Sequence, residues 1–210
     1  MHGRFIRRRI VKTNRAIFPD LLTIFVLLFA SRAAEAHVVH GEAAGFGIGF
    51  LHPLSGLDHM IAMICVGMWG AQLGAPAIWV LPVAFPMMMA FGGFLGLVGV
   101  HLPFGEICIA LSGIFLGFAV LTEIRAPLWS TAIVVGFFGL FHGYAHGAEL
   151  PPGHNALLYS LGFVAATGIL HATGIVIGLV YRWAWGRTAL RVAGACVLVG
   201  GTFFLRQALA

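Results

Sequence analysis

The sequence predicts an all-α protein, a polytopic membrane helical bundle with about six transmembrane helices after a cleaved signal peptide, and three observations carry that prediction. The chain of 210 residues is 60% hydrophobic and only 9% charged, a balance foreign to soluble domains of this size. Its apolar residues gather in windows of about 20, the length needed to cross roughly 30 Å of hydrocarbon. The breaks between windows carry glycine, proline or charge, and none is long enough for a separate soluble domain.

The amino terminus reads as a targeting segment. Residues 1–36 hold seven of the twelve basic residues (Arg4, Arg7, Arg8, Arg9, Lys12, Arg15 and Arg32) against two acids, Asp20 and Glu35. The basic leader, the apolar stretch from Leu21 to Ala30 and the small-x-small Ala34-Glu35-Ala36 before His37 predict a signal peptide over residues 1–36. An uncleaved signal anchor is the other reading, because Pro19 and Asp20 interrupt the apolar run. Either way the following segment starts outside, and residues 37–210 form one membrane domain. Beyond residue 36 five basic residues meet five acidic ones, so the formal charge of +5 belongs to the leader. A nucleic-acid partner is excluded on that ground, and the lipid bilayer is the expected surrounding.

Six spans are expected near 54–73, 77–99, 105–122, 128–147, 156–181 and 188–208. With the mature amino terminus external, the inner loops contain Arg125, Arg182, Arg187 and Arg191, and the outer side has only Arg206, as the positive-inside rule requires. This orientation puts two polar clusters, residues 52–59 and 142–149, at the outer ends of the first and fourth spans. Three plus three spans would allow an inverted repeat, but inversion would send the second cluster to the inner end. Cys65, Cys108 and Cys196 stand apart with no C-x-x-C pair and read as packing residues. Gly92, Gly93, Gly96, Gly99, Gly113 and Gly117 read as close helix packing, and Met87-Met88-Met89, pointing three ways round a helix, as packing too.

Ionisable side chains at membrane depth are costly and persist mainly at sites and pathways, so the two clusters are the candidate site. His142 and His146 are four apart and Glu149 three further, which puts all three on one face of a continuous helix. That stripe suits chelation, and interhelical hydrogen bonding by the histidines is the alternative. In the first cluster Pro53 lacks an N–H and Gly56 is flexible, so a bent or unwound entry is expected beside Asp58 and His59. Asp58 suits either a hard oxygen ligand or a carboxylate that orients a histidine, and an acid that merely caps the helix or pairs with a basic residue is disfavoured because no basic side chain lies nearby in sequence. His52 precedes His59 by seven positions, nearly one face of a regular helix. His171, inside the fifth span, reads as a packing residue or a ligand. His37, His40 and Glu42, with His101 and His154, suit weak cation capture or plain solvation. Imidazole with one or two carboxylates favours Ni²⁺, Co²⁺ or Zn²⁺ over Mg²⁺ or Ca²⁺.

At these residues the chain resembles the HupE/UreJ family of nickel and cobalt permeases. The matching motifs are His52-Pro53 through Gly56 to Asp58-His59, then Ala62-Met63 through Val66-Gly67 to Trp69, then Phe141-His142-Gly143 through Ala145-His146-Gly147 to Glu149. The resemblance implies an inner-membrane permease of a Gram-negative bacterium, with 37–210 as the permease domain, supplying metal to hydrogenase or urease maturation. It implies metal-site roles for His52, Asp58, His59, His142, His146 and Glu149. No tightly bound cofactor is expected; Ni²⁺ or Co²⁺ is cargo, and homo-oligomerisation is left open.

Two other classes are weighed. An integral-membrane zinc-dependent hydrolase would use His142, His146 and His171 for zinc, Asp58 or Glu149 as base, and Ser55 in support. A haem-binding subunit would take axial histidines from two spans.

Overall fold

Glycine and asparagine mark several of the helix ends. The computed structural model describes residues 42–148, 150 and 155–210. Helix α1 (Glu42–Ser55) meets α2 (Leu57–Leu73) at Gly56 with a bend of 82°. There follow α3 (Ala77–Leu97), α4 (Gly105–Thr122), α5 (Leu128–Ala148), α6 (Ala156–Gly178), a 3₁₀ turn (Leu179–Arg182) and α7 (Ala184–Ala208). Gly74, at φ 79°, closes α2. Asn155 opens α6, its side-chain oxygen accepting from the Leu157 and Leu158 amides at 3.0 and 3.1 Å.

The all-α membrane bundle is therefore the fold. Five helices are each long and apolar enough to span a bilayer, and the bent pair α1 and α2, counted as one span, makes six. Two boundaries differ from expectation. The span expected at 54–73 begins instead as a separate helix reaching back to Glu42, and the last helix starts at Ala184 rather than 188. The signal peptide at residues 1–36, His37, His40, Glu149 and His154 lie outside the described residues.

Glycine decides how the helices pair. In lipid no hydrophobic force drives helices together, so backbones approach only where side chains are small enough for continuous van der Waals contact. α3 packs along α5, α4 along α7, and α6 along α1 with its first half and α2 with its second. Each crossing has a glycine on both helices. A Cβ on Gly92 would strike the Leu140 carbonyl, and one on Gly143 the Met89 carbonyl. The pairs Gly117 with Gly194, Gly49 with Gly162, and Gly67 with Gly174 serve the other crossings in the same way. Packing is thus the role of Gly92, Gly96 and Gly117, whereas Gly99, at φ 75° with open space around it, is a turn residue.

The lipid-facing surface is equally apolar. On α3, Leu81, Phe85 and Met89 are buried while Trp79, Val83, Met87 and Phe91 are exposed, so both faces are oily, as a span requires. Met87 points out and Met89 in, as successive helical residues must. Of the cysteines only Cys65 is a buried packing residue; Cys108 is partly exposed and Cys196 lies on the exposed face of α7, a correction to the expectation for all three.

The end of the bundle away from the histidines is fastened by polar contacts. Gln72 donates to the Val120 carbonyl at 3.0 Å, and the Trp69 indole donates to the Ile124 carbonyl at 3.1 Å, satisfying acceptors that the end of α4 leaves open. Glu123 sits in the left-handed region at φ 57°, a conformation that costs a non-glycine residue about 1 kcal/mol. It is held by the Tyr181 hydroxyl, which donates at 2.7 Å, and by the Arg191 guanidinium at 2.9 Å. The Tyr181 hydrogen bond, and after it Arg191, keeps its carboxyl below the usual range. A depressed value means that the contribution is present above the ordinary carboxylate range and fades as pH falls through the folded value. Glu123→Gln is expected to cost about 0.5–1 kcal/mol at neutral pH. In thermal unfolding of detergent-solubilised protein, the gap from the parent chain should close in acid.

Candidate metal centre

The first cluster is built by the helix break. Pro53 lies in the last turn of α1, and the Ser55 hydroxyl donates to the His52 carbonyl at 2.6 Å, completing that end. Gly56 then lets α2 start in a new direction. A Cβ there would lie 3.1 Å from Asp58 Oδ1 and 3.2 Å from His59 Nδ1, so glycine also leaves room for the pair behind it. Asp58 Oδ1 accepts from the His59 amide at 2.9 Å and from His59 Nδ1 at 2.8 Å. The carboxylate lies inside the first turn, the cap position being Gly56 with no side-chain cap, and both of its contacts are to the very next residue. It also orients a histidine, as expected for one of its two readings. Since a carboxylate only accepts, Nδ1 carries the proton and the Nε2 lone pair is left free.

The second cluster shares two turns of α5 with the helix crossing. Gly139, Gly143 and Gly147 face α3, and His142 and His146, each one residue earlier, point about 100° away. His142 is fully buried and its Nδ1 bonds to the Phe138 carbonyl at 2.9 Å. Here too the acceptor fixes the proton on Nδ1 and leaves Nε2 as the lone-pair nitrogen.

Folding brings the two clusters together. The ring of His146 stands 4.6 Å from that of His52 and 4.5 Å from that of His59, while His59 and His142 are 4.9 Å apart. His52 and His59 do not share a face of one helix; the bend at Gly56 aims both at His146. His59 Nε2, His142 Nε2 and both ring nitrogens of His146 are buried without a hydrogen-bond partner among the described residues, and each such atom costs about 1–3 kcal/mol unless something binds it. The rings meet edge-on or tilted, and among the described residues no three His, Cys, Asp or Glu side chains form a finished cage. A cation would need modest ring rotations to gather the nitrogens. Glu149, the sixth expected ligand, lies outside the described residues.

Two cavities flank the cluster. One, of about 260 Å³, is lined by Asp58, His59, Glu106 and Gln207. The other, of about 230 Å³ and mostly apolar, reaches His146 between Met89, Tyr159 and Phe163. Glu106 was missed in the sequence, where one acid in the first turn of a span reads as a helix-end charge; its signal was an ionisable side chain at the same membrane face as the clusters.

His171 is 2% exposed and does not join the four histidines. The Phe85 ring packs against both, 5.2 Å from His142 and 5.4 Å from His171. The zinc set of His142, His146 and His171 is accordingly not assembled, and Ser55, cast as its helper, is spent on the His52 carbonyl.

Comparison with known proteins adds an independent finding. A family model described as HupE / UreJ protein matches residues 24–204. Protein HupE of Rhizobium leguminosarum bv. viciae is 42% identical over 189 residues, covering 90% of this chain and 98% of that protein. No solved structure matches.

Proposed function

Because the chain belongs to the HupE/UreJ family, we propose that it is an inner-membrane permease for a divalent transition metal, nickel or cobalt, supplying hydrogenase or urease maturation. The observation that carries this reading is the pair of adjacent imidazoles, the partly buried His59 and the fully buried His142, whose Nδ1 protons are tied to Asp58 and to the Phe138 carbonyl. Each has a buried Nε2 with no hydrogen-bond partner among the described residues, the arrangement in which a carboxylate or carbonyl behind a histidine fixes its tautomer and raises its basicity toward a metal. His146 and His52 complete a nitrogen-rich set that favours nickel or cobalt over magnesium or calcium, and Glu149 is proposed as a further oxygen ligand. The metal is cargo, and the chain carries it rather than catalysing a reaction on it.

The cavity beside Asp58 and Glu106 supports an entrance on the side that the arginine distribution assigns to the periplasm, where the mature amino terminus is also proposed to lie. Two carboxylates there draw in a hydrated dication, which exchanges water for imidazole as it reaches His59. The membrane potential offers about 4.6 kcal/mol per 100 mV for a dication moved inward.

Uptake of radiolabelled nickel and cobalt, measured in cells lacking their own transporters, tests the reading. Asp58→Asn keeps the shape but loses the charge that polarises His59, and a 10–100-fold drop in metal affinity is expected, seen as lost uptake at low metal concentration. No uptake by the parent chain, or equal uptake by both, would overturn it.

A further inference from the structure

We infer that His171, Thr167 and the main-chain carbonyl of Pro82 form a second, deeper cation site, behind the four-histidine cluster and separated from it by Phe85. The inference rests on the permease reading only in naming the cargo as the ion that would occupy it.

The three groups share an unusual condition. Both ring nitrogens of His171 and the hydroxyl oxygen of Thr167 are buried with no hydrogen-bond partner among the described residues, at 2% and 0% exposure. They are four residues apart on α6, so they project from one stripe. The third group is released by the sequence of α3. Pro86 has no N–H, so the carbonyl of Pro82, four residues earlier, loses its regular helical donor. Pro82 lies one turn before Phe85, whose ring packs 5.4 Å from that of His171, so the carbonyl belongs to the turn of α3 that meets this imidazole. A histidine, a hydroxyl and a carbonyl short of its regular helical donor, in an otherwise apolar layer, are donors that a dehydrated cation needs, and buried polar groups left without partners are costly in a packed core.

Depth is given by two independent helices. On α6, His146 packs against Phe163, and His171 lies eight residues further on, about 12 Å along the axis. On α2, Gly67 abuts the His171 backbone and is eight residues beyond His59, again about 12 Å. The second site thus lies toward the membrane interior from the first. The Phe85 ring touches His142 on one side of this step and His171 on the other. A dication leaving the first cluster therefore meets an aromatic surface, which tolerates positive charge, and then a second set of donors. Two stations of graded affinity let an ion bind well enough to enter and weakly enough to leave.

The test uses the full chain with His171→Leu and Thr167→Val, the latter removing one oxygen at nearly constant volume. Radiolabelled nickel uptake is measured in cells, and nickel binding by equilibrium dialysis of the detergent-purified proteins. His171→Leu is expected to bind one ion fewer than the parent chain, keep binding at the outer cluster and lose at least about tenfold of its uptake. Thr167→Val should weaken the second ion and slow uptake several-fold. Parent-like binding and uptake in both variants would overturn the site while leaving the permease reading intact. A parent chain that takes up no nickel, yet loses one bound ion on His171→Leu, would overturn the permease reading and keep the site. Should His171→Leu fail to fold, Thr167→Val decides alone: parent-like binding and uptake overturn the site, and a weakened second ion supports it.

Discussion

Replacing His146 with alanine is expected to abolish metal uptake, with a loss of affinity of at least about a hundredfold, since even a supporting partner behind a ligand is typically worth 10–100-fold. His146 is the one ring in contact with both His52 and His59. It is 4% exposed and has two unpartnered nitrogens. Its removal takes away the link between the α1 and α2 histidines and leaves an apolar gap beside Phe163, whose ring is 4.2 Å away. His52→Ala, at the edge of the cluster, should cost less. Uptake curves over a range of nickel concentrations, normalised to membrane-inserted protein by immunoblot, check the ranking. A His146→Ala protein that accumulates nickel like its parent would remove His146 from the site.

The second large effect is structural. Gly143→Val is expected to prevent the folded protein from accumulating, because a Cβ at that position would run into the Met89 carbonyl and backbone. Carbonyl and helix axis cannot step aside as a flexible side chain would, so α3 and α5 must separate. Overpacking of this kind costs 1–3 kcal/mol or more, and the separation also removes the contacts of Gly92 and Gly147 at the same crossing. His142 and His146 ride on the same turns of α5, so any surviving protein should bind metal poorly. Gly47→Ala and Gly168→Ala, where a Cβ meets nothing within 4 Å, serve as controls that should be tolerated. Size-exclusion profiles of the solubilised variants measure the difference, and a monodisperse, thermally parent-like Gly143→Val would show that the crossing is not tight.

Much of the fold was legible because membrane chemistry leaves coarse marks. Runs of about 20 apolar residues, and the Gly74, Pro103, Pro127 and Arg182 regions between them, locate the spans to within a few residues. Helix α1 escaped notice because at 14 residues, with Pro53 near its end, it is too short for a span and reads as an entry loop. Glu106 escaped because one acid at a helix start has an ordinary explanation. The relation of Phe85 to His142 and His171 had no signal at all, since it depends on how α3, α5 and α6 are rotated against one another.

The sequence by itself determined which residues are chemically out of place in lipid, His52, Asp58, His59, His142, His146 and His171, and that the chain folds as a bundle of membrane helices. Those facts follow from local composition, because the cost of a polar group in hydrocarbon is set residue by residue. Only the tertiary structure decided that four of the histidines meet, that Asp58 is hydrogen-bonded to His59, and that His171 is set apart behind Phe85. Those facts depend on the 82° turn at Gly56 and on glycine-to-backbone approaches between distant helices. Both arise from van der Waals fit across the bundle, which no single stretch of sequence encodes.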